Sequence, residues 1–282
     1  IPMRPFYIDR HPVTCAQWQA FVNSSGYRPA DPTNYLKNWD WGDGTGPAPA
    51  LPATLVSTPV VYVSLAEARR YCAAAGKRLP QDWEWAFAGQ TGADGRADGR
   101  AYPWARSGSA CGGGKQCEPA AKTQNTLPGA AEVGAHSPQG DSPVGVADLT
   151  GNVWQMTTEV VDVHSRGLLV RGGSNYRPGI RGVAGSHWYF RETDGEGEQQ
   201  PGGPLTLHNK YMLMSDSYER AGTLGFRCVA DAPDPSTCAA GEGTGAGAGK
   251  GAMAPCGRWS GPPVANTSLA LDATTTEWAR WY

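Results

Sequence analysis

The sequence predicts a compact mixed domain with few helices, short strands and long structured loops. Its 282 residues are enough for a sizeable buried core. They include 38 glycines and 23 prolines, which together make about 22 % of the chain against ~12 % in an average protein. This excess does not indicate disorder, because the 11 tryptophans and 11 tyrosines require a packed interior.

Capping boxes predict the first two helices. In this motif a Ser or Thr hydroxyl accepts a hydrogen bond from the backbone N–H three residues later, and a Glu or Gln side chain bonds back to the cap. We expect one helix from Thr14 to Gly26 and another from Ser64 to Gly76, since glycine commonly ends a helix. The apolar spacing of the second helix places Cys72 on its buried face.

The remaining predicted elements are shorter. Pro80 is expected to precede a third helix with the sequence QDWEWAFAG. Apolar runs predict strands at residues 6–9, 60–63, 168–171 and 224–229. Residues 27–58 and 90–143 show almost no periodicity. We expect them to be long loops pinned by four aromatic side chains, Trp39, Trp41, Tyr102 and Trp104.

The composition divides the chain into three parts. Residues 1–231 form the predicted main domain, and residues 232–263 form a linker rich in Gly, Ala and Pro. Residues 264–282 alternate like a strand and are interpreted as the start of a further β-rich domain. Because the chain begins IPMRPFYID, with neither an initiator Met nor a basic-then-apolar leader, we expect a segment of a longer precursor with neighbouring domains.

The charge pattern excludes some classes of partner. A net charge of -2 and a pI near 6.2 give no reason to expect binding to nucleic acid or to an anionic membrane surface. The sequence contains no run of 18 apolar residues, so no membrane span is predicted in this segment.

The seven cysteines favour an oxidising compartment. Cys111 and Cys117 close one glycine-rich loop, and Cys238 and Cys256 bracket another, as disulfides do in secreted proteins. Zinc binding is the alternative, but the sequence has no Cys-x-x-Cys pair and no histidine at ligand spacing from these cysteines.

Two acceptor triplets for N-glycosylation, at Asn23 and Asn266, point the same way. We therefore expect a glycoprotein that is extracellular or in the secretory pathway.

Six separated stretches of the chain resemble one known family. In order they are PVTCAQWQAFV (12–22), PVVYVSLAEARRYCAAAGKRLPQDWEWAFAG (59–89), YPWA (102–105), GVADLTGNVWQM (145–156), VRGGS (170–174) and GTLGFRCV (222–229). Together they resemble the formylglycine-generating enzymes, or sulfatase-modifying factors, over about residues 5–230. The resemblance implies an α+β fold, a variant of the C-type lectin fold with few helices, antiparallel strands and much irregular loop.

The resemblance also implies a disulfide between Cys72 of the second helix and Cys228 of the GFRC motif. A bridge that closes so long a loop stabilises by ~4–5 kcal/mol in the loop-entropy treatment. Cys15 then has no partner and is expected to be a buried, small apolar residue.

The residues that carry the family's oxidase chemistry are missing. Oxidase members of the family convert a sulfatase cysteine to formylglycine with copper held by two cysteines, three and eight residues after the Ser of GGS. Counted from Ser174, those positions are Arg177 and Gly182, and no cysteine occurs between Cys117 and Cys228. Arginine is always protonated and cannot ligate a metal. This argues against bound copper and against the oxidase activity.

A calcium site implied by the family is partly kept. The matching positions are Asp148, Gly151, Val153 and Gln155, where Gln155 replaces an acid. Oxygen ligands suit calcium, so a weaker calcium site is possible here. The alternative is that Asp148 only caps the turn.

We interpret the chain as a pseudoenzyme, a binding or structural module of a larger surface or secreted protein. Its former active-site loop, with Trp154 and Ser174, would present Arg171, Arg177 and Arg181 to a glycan or protein partner. The alternatives are a metal-dependent oxidoreductase of the same family with an altered site, and a purely architectural piece.

Overall fold

The structure, a computed structural model, contains few helices and small sheets. It describes residues 6–40, 49–92, 95–105, 130–162, 167–175, 191–192, 199–200, 205, 208–212, 215–232 and 279–281. Within these ranges the helices are α1 (Cys15–Ser25), α2 (Leu65–Ala74), α3 (Asp82–Gln90) and the short α4 (Asp216–Glu219). The α+β class predicted from the sequence is confirmed.

Both predicted capping boxes form. Thr14 Oγ1 accepts from the Gln17 backbone N–H at 3.2 Å, and the Thr14 N–H donates to Gln17 Oε1 at 2.9 Å. In α2 the Ser64 N–H donates to Glu67 Oε2 at 2.7 Å. The first helix ends as predicted, because Gly26 adopts φ 65°, where glycine is favoured.

In the described part of the chain the strands form three sheets. The strands are β1 (Phe6–Ile8), β2 (Trp154–Asp162), β3 (Gly167–Arg171), β4 (Arg191–Glu192), β5 (Gln199–Gln200), β6 (His208–Met212), β7 (Leu224–Gly225), β8 (Val229–Asp231) and β9 (Ala279–Trp281). Their orders are β8-β1-β9, β6-β3-β2-β7 and β4-β5. All pairs are antiparallel except β2 with β7.

Three strand predictions need correction. Residues 60–63 form no strand, because Tyr62 has φ 59°, which is incompatible with extended backbone. The predicted strand at 224–229 is two strands, β7 and β8, in different sheets. The long strand β2 was not predicted, although its first four residues, Trp-Gln-Met-Thr at 154–157, alternate between apolar and polar side chains, and all four are buried.

Among the residues that the structure describes, two apolar clusters form the core. The first centres on Trp18, which stacks on Tyr71 at 5.6 Å and meets Phe226 edge-on at 6.0 Å between ring centroids. The second joins β1 to α3 through Phe6, Ile8 and Trp85. The Cys72–Cys228 disulfide, predicted from the family resemblance, is present and ties α2 to the segment between β7 and β8.

The long loops carry buried aromatic side chains, as expected. Trp39 is buried, and Tyr102 stacks on Trp104 at 5.1 Å, whereas Trp41 lies outside the described residues. No helix in the described part of the chain is long and apolar enough to cross a bilayer.

The predicted domain division stays a prediction. Of residues 264–282 the structure describes 279–281, which pair with β1 as the edge strand β9. These three residues therefore extend a sheet of the main domain. The linker, apart from residue 232, lies outside the described residues.

Candidate functional site

The candidate site is a junction between two segments: the glycine turn, residues 148–155, and the GGS loop, residues 171–175. The Gly151 N–H donates to the Gly172 carbonyl at 2.7 Å, which joins them. Gly172 has φ 94°, and a Cβ there would lie 2.7 Å from the backbone oxygen of Leu149. Any side chain at this position would force the two segments apart.

Two predicted active-site residues lie in this junction. Trp154 and Ser174 are both 3 % exposed, on segments held together by the Asn175 N–H, which donates to the Asn152 carbonyl at 3.0 Å. The indole N–H of Trp154 has no hydrogen-bond partner among the described residues. The junction therefore buries the former active-site tryptophan with an available donor.

Other predicted site residues lie outside the part of the chain that the structure describes. They are Arg177, Arg181, Gly182, Cys111, Cys117, Cys238, Cys256 and Asn266. Their roles stay predictions. Asn23, the other candidate for glycosylation, is exposed near the end of α1, so its position allows modification.

Arg171 does not have the role that we expected from the sequence. It is 9 % exposed, and its guanidinium makes two 2.5 Å bonds to the Asp82 carboxylate. It also donates to the Leu205 carbonyl at 3.2 Å. Arg171 therefore fixes the end of β3 to the first turn of α3 and is not presented to a partner.

Beneath the glycine turn lies a fully buried cation, Arg227, which is 0 % exposed. All five of its guanidinium N–H groups donate to oxygens at 2.7–3.1 Å. The acceptors are Gln155 Oε1 and the carbonyls of Asp9, Arg10, Ala147 and Asp148. Burial lowers the pKa of Arg227 to about 10.

The Gln155 amide connects this cation to the turn. Its Oε1 accepts from Arg227 at 2.7 Å and from the indole N–H of Trp85 at 2.9 Å. Its Nε2 donates to the Asp148 carbonyl at 2.6 Å. A neutral amide is suited to this position, because it accepts and donates at once.

Two of the four predicted calcium ligands, Gln155 and Asp148, already accept hydrogen bonds. Gln155 Oε1 already accepts two N–H bonds, and Asp148 Oδ2 accepts from the Gly134 N–H at 2.6 Å. Burial raises the pKa of Asp148, which disfavours the anion that calcium prefers. Asp148 instead anchors the neighbouring loop at Gly134, close to the capping role considered as the alternative.

The described cysteines provide no thiolate pair. Cys72 and Cys228 are joined in the disulfide, and Cys15 is the one free cysteine in the described ranges. Its Sγ lies 3.6 Å from both Thr58 Oγ1 and the Pro59 carbonyl. Burial raises the pKa of Cys15 to about 11, so the thiol stays protonated, as a buried small residue does.

A cavity of about 400 Å³ lies beside α1. Its lining includes Asn23, Arg28, Pro29, Pro32, Tyr35 and Trp39. Sequence analysis did not find it, although proline and aromatic residues recur at residues 27–41. Proline and aromatic rings suit stacking against a sugar or a peptide.

A buried ion pair holds the wall of this cavity. Arg220 makes two hydrogen bonds to Glu67, at 2.6 and 3.2 Å, and both side chains are at most 1 % exposed. Its other terminal nitrogen donates to the carbonyls of Asp31 and Thr33 at 2.6 and 2.8 Å. Arg220 thus ties the loop beside the cavity to α2.

Sequence analysis missed the buried roles of Arg220 and Arg227. The one available signal was a charged residue between apolar neighbours, as in the Phe-Arg-Cys of residues 226–228. Their acceptors are largely backbone carbonyls, which no side-chain pattern identifies.

Few helices, small mixed sheets and long pinned loops define the class of the protein, an α+β domain of the kind implied by the sequence resemblance. The family model described as "Sulfatase-modifying factor enzyme 1-like domain" matches residues 1–232. The chain therefore belongs to the sulfatase-modifying factor family, which includes the formylglycine-generating enzymes.

Among individual relatives, "Inactive C-alpha-formylglycine-generating enzyme 2" of Bos taurus is 28 % identical over 83 % of this chain and 80 % of its own length. "Formylglycine-generating enzyme" of Mus musculus is 26 % identical over 80 % of this chain and 66 % of its own length. The crystal structure of CarF has a TM-score of 0.50 at 19 % identity, over 82 % of this chain and 88 % of that chain, and shows the fold alone.

Proposed function

We propose that this chain is a catalytically inactive module of the sulfatase-modifying factor family, which serves binding or structural assembly in a secreted or surface protein. The observation that carries the proposal is the replacement of the family's two copper-binding cysteines by Arg177 and Gly182. Copper(I) requires soft ligands such as thiolates. The alternative, a metal-dependent oxidoreductase with an altered site, would need ligands from elsewhere in the chain.

The described thiols support this proposal. Cys72 and Cys228 are consumed by the disulfide, and Cys15 is buried with a pKa raised to about 11. None of these three is a ready thiolate. The bovine relative whose name begins "Inactive" also supports a family branch without the oxidase activity.

A disulfide between distant elements supports the secretory or extracellular location, because such bridges persist in oxidising compartments. For the partner, the cavity beside α1 is the described surface that we favour. Its rings offer stacking to a glycan or a peptide, and Arg28 adds an exposed positive charge.

The oxidase alternative is tested by copper stoichiometry and oxygen uptake on the purified full chain. We expect no copper retained after dialysis against a thiol chelator and no oxygen consumption with a cysteine-containing sulfatase peptide. The variant Arg177→Cys/Gly182→Cys, which restores both ligand positions, is expected to bind copper(I). One tightly held copper in the native chain, with thiol-dependent oxygen uptake, would overturn the proposal.

Partner binding is tested separately with a glycan array and with size-exclusion chromatography. We expect Arg28→Glu to weaken any glycan signal at least about tenfold. Arg69→Glu, the same charge change on the exposed face of α2, is expected to leave it unchanged. Ordered oligomers without a glycan signal would favour structural assembly over glycan binding.

A further inference from the structure

We propose that the glycine turn of this chain does not fit a calcium ion and holds its shape without metal, because the Arg227 guanidinium and the Gln155 amide already engage its oxygens. This inference does not depend on the identity of a partner. Two residues that the family resemblance implies as calcium ligands, Asp148 and Gln155, are engaged in hydrogen bonds instead.

The oxygen set around Arg227 is of the type that surrounds a hard cation. It consists of four backbone carbonyls and one amide oxygen, from two separate segments and Gln155. Calcium sites draw on the same groups. Here the planar guanidinium donates its five N–H groups to these five oxygens, so each donor has an acceptor.

The same atoms cannot serve a metal as well. Arg227 bonds the carbonyl of Asp148 and the amide oxygen of Gln155, which are both calcium-ligand positions. A calcium ion there would compete for these oxygens and would lie close to a buried positive charge. Two positive charges that share the same oxygen ligands repel each other strongly where water is excluded.

The neutral side chain of Gln155 fits an arginine better than a metal. Its amide nitrogen donates to the Asp148 carbonyl at 2.6 Å, in a turn where Asp148 has φ 53°. A carboxylate would supply charge to calcium but has no N–H for this bond. The amide of Gln155 therefore suits this hydrogen-bond arrangement better than a calcium shell.

The remaining charge near Arg227 is supplied by carboxylates at longer range. The carboxylates of Asp148, Asp9 and Asp141 each favour the charged guanidinium electrostatically, and none of these carboxylates accepts a hydrogen bond from it within the described contacts. The cation is thus compensated by the fold itself. Any binding by this domain is then independent of calcium at the glycine turn.

The test measures calcium binding to the native full chain by isothermal titration, and its melting in millimolar calcium against EGTA by tryptophan fluorescence. We expect no binding at the turn and midpoints that agree within about 1 °C. The variants Gln155→Glu and Asp148→Asn distinguish a site in the turn from one elsewhere. Gln19→Glu, on α1, adds the same charge as Gln155→Glu at a distance and is the matched control.

A midpoint several degrees higher in calcium, with a response that grows in Gln155→Glu and vanishes in Asp148→Asn, would overturn the proposal. A calcium response that is equal in all four proteins places the ion elsewhere and leaves Arg227 as the cation of the turn. Because these arms use the native chain and mild substitutions, the test does not depend on the folding of an Arg227 variant.

Discussion

Arg220 and Arg227 are both fully enclosed, but the protein compensates them differently. Arg220 faces the Glu67 carboxylate in a two-hydrogen-bond pair and adds two backbone carbonyls. Arg227 has no carboxylate among its acceptors and is surrounded by carbonyls and one amide. The first is a pair of side chains, whereas the second is a cation enclosed by the backbone path.

This difference determines how each site responds to substitution. A buried ion pair can be exchanged for two apolar side chains at little cost, because both charges leave together. The acceptors of Arg227 are mostly main-chain atoms, which no substitution removes. The carbonyl cage therefore makes Arg227 the less replaceable of the two residues.

The largest effect is expected from Arg227→Met. This change leaves the carbonyls of Asp9 and Ala147 buried without their guanidinium donor. We expect the free energy of unfolding to fall by ~4 kcal/mol or more, measured by denaturant titration. Arg227→Lys keeps the charge and three donors and should recover part of the loss. A loss below about 1 kcal/mol for Arg227→Met would show that the cage is dispensable.

The sequence predicted the helices well, because a capping box is local. It contained no signal for the cage of Arg227, since carbonyls from residues 9–10 and 147–148 meet only through the tertiary fold. For the same reason the strand predicted at 60–63 was wrong. Tyr62 is held at φ 59° by distant partners, its carbonyl accepting from Leu36 and its N–H donating to Ala221.

The candidate site was predicted in part. The family motifs located the glycine turn and the GGS loop, which the structure joins through Gly151 and Gly172. Motif matching assigned ligand roles from residue identity alone. Motif matching therefore missed that Arg171 forms an ion pair with Asp82 and that Gln155 accepts a hydrogen bond from Arg227. Which groups a polar residue bonds is a property of the packed structure.

The second-largest effect is expected from Glu67→Gln, which removes the negative charge of the buried ion pair with Arg220. The amide keeps the shape but leaves Arg220 as an uncompensated buried charge, so we expect a loss of ~3 kcal/mol in denaturant titration. The double variant Glu67→Gln/Arg220→Met removes the cation as well and should be less destabilised than the sum of its single changes. Additive losses would mean that the two residues do not act as a pair.

The smallest expected effect is the pH dependence of stability that comes from His11, which lies near Arg227. Burial, together with the charges of Arg227 and Arg10, lowers the pKa of His11 to about 4. In the unfolded chain a histidine titrates near ~6.5, so below that pH the unfolded state binds a proton that the folded state refuses. Stability is full above the unfolded pKa and is lost as pH falls toward 4. We expect a loss of ~2 kcal/mol between about pH 7.5 and pH 5.

The variant His11→Gln isolates this contribution, because it removes the titrating ring and keeps a polar side chain. Its stability should depend less on pH than that of the native chain, by the same ~2 kcal/mol over this range. Asp148 acts in the opposite direction, since burial raises its pKa and the folded chain takes up its proton more readily on acidification. Because Asp148 is present in both proteins, its contribution cancels in the difference. Equal pH dependence of the two proteins would show that the cation at Arg227 does not exclude a second charge beside it.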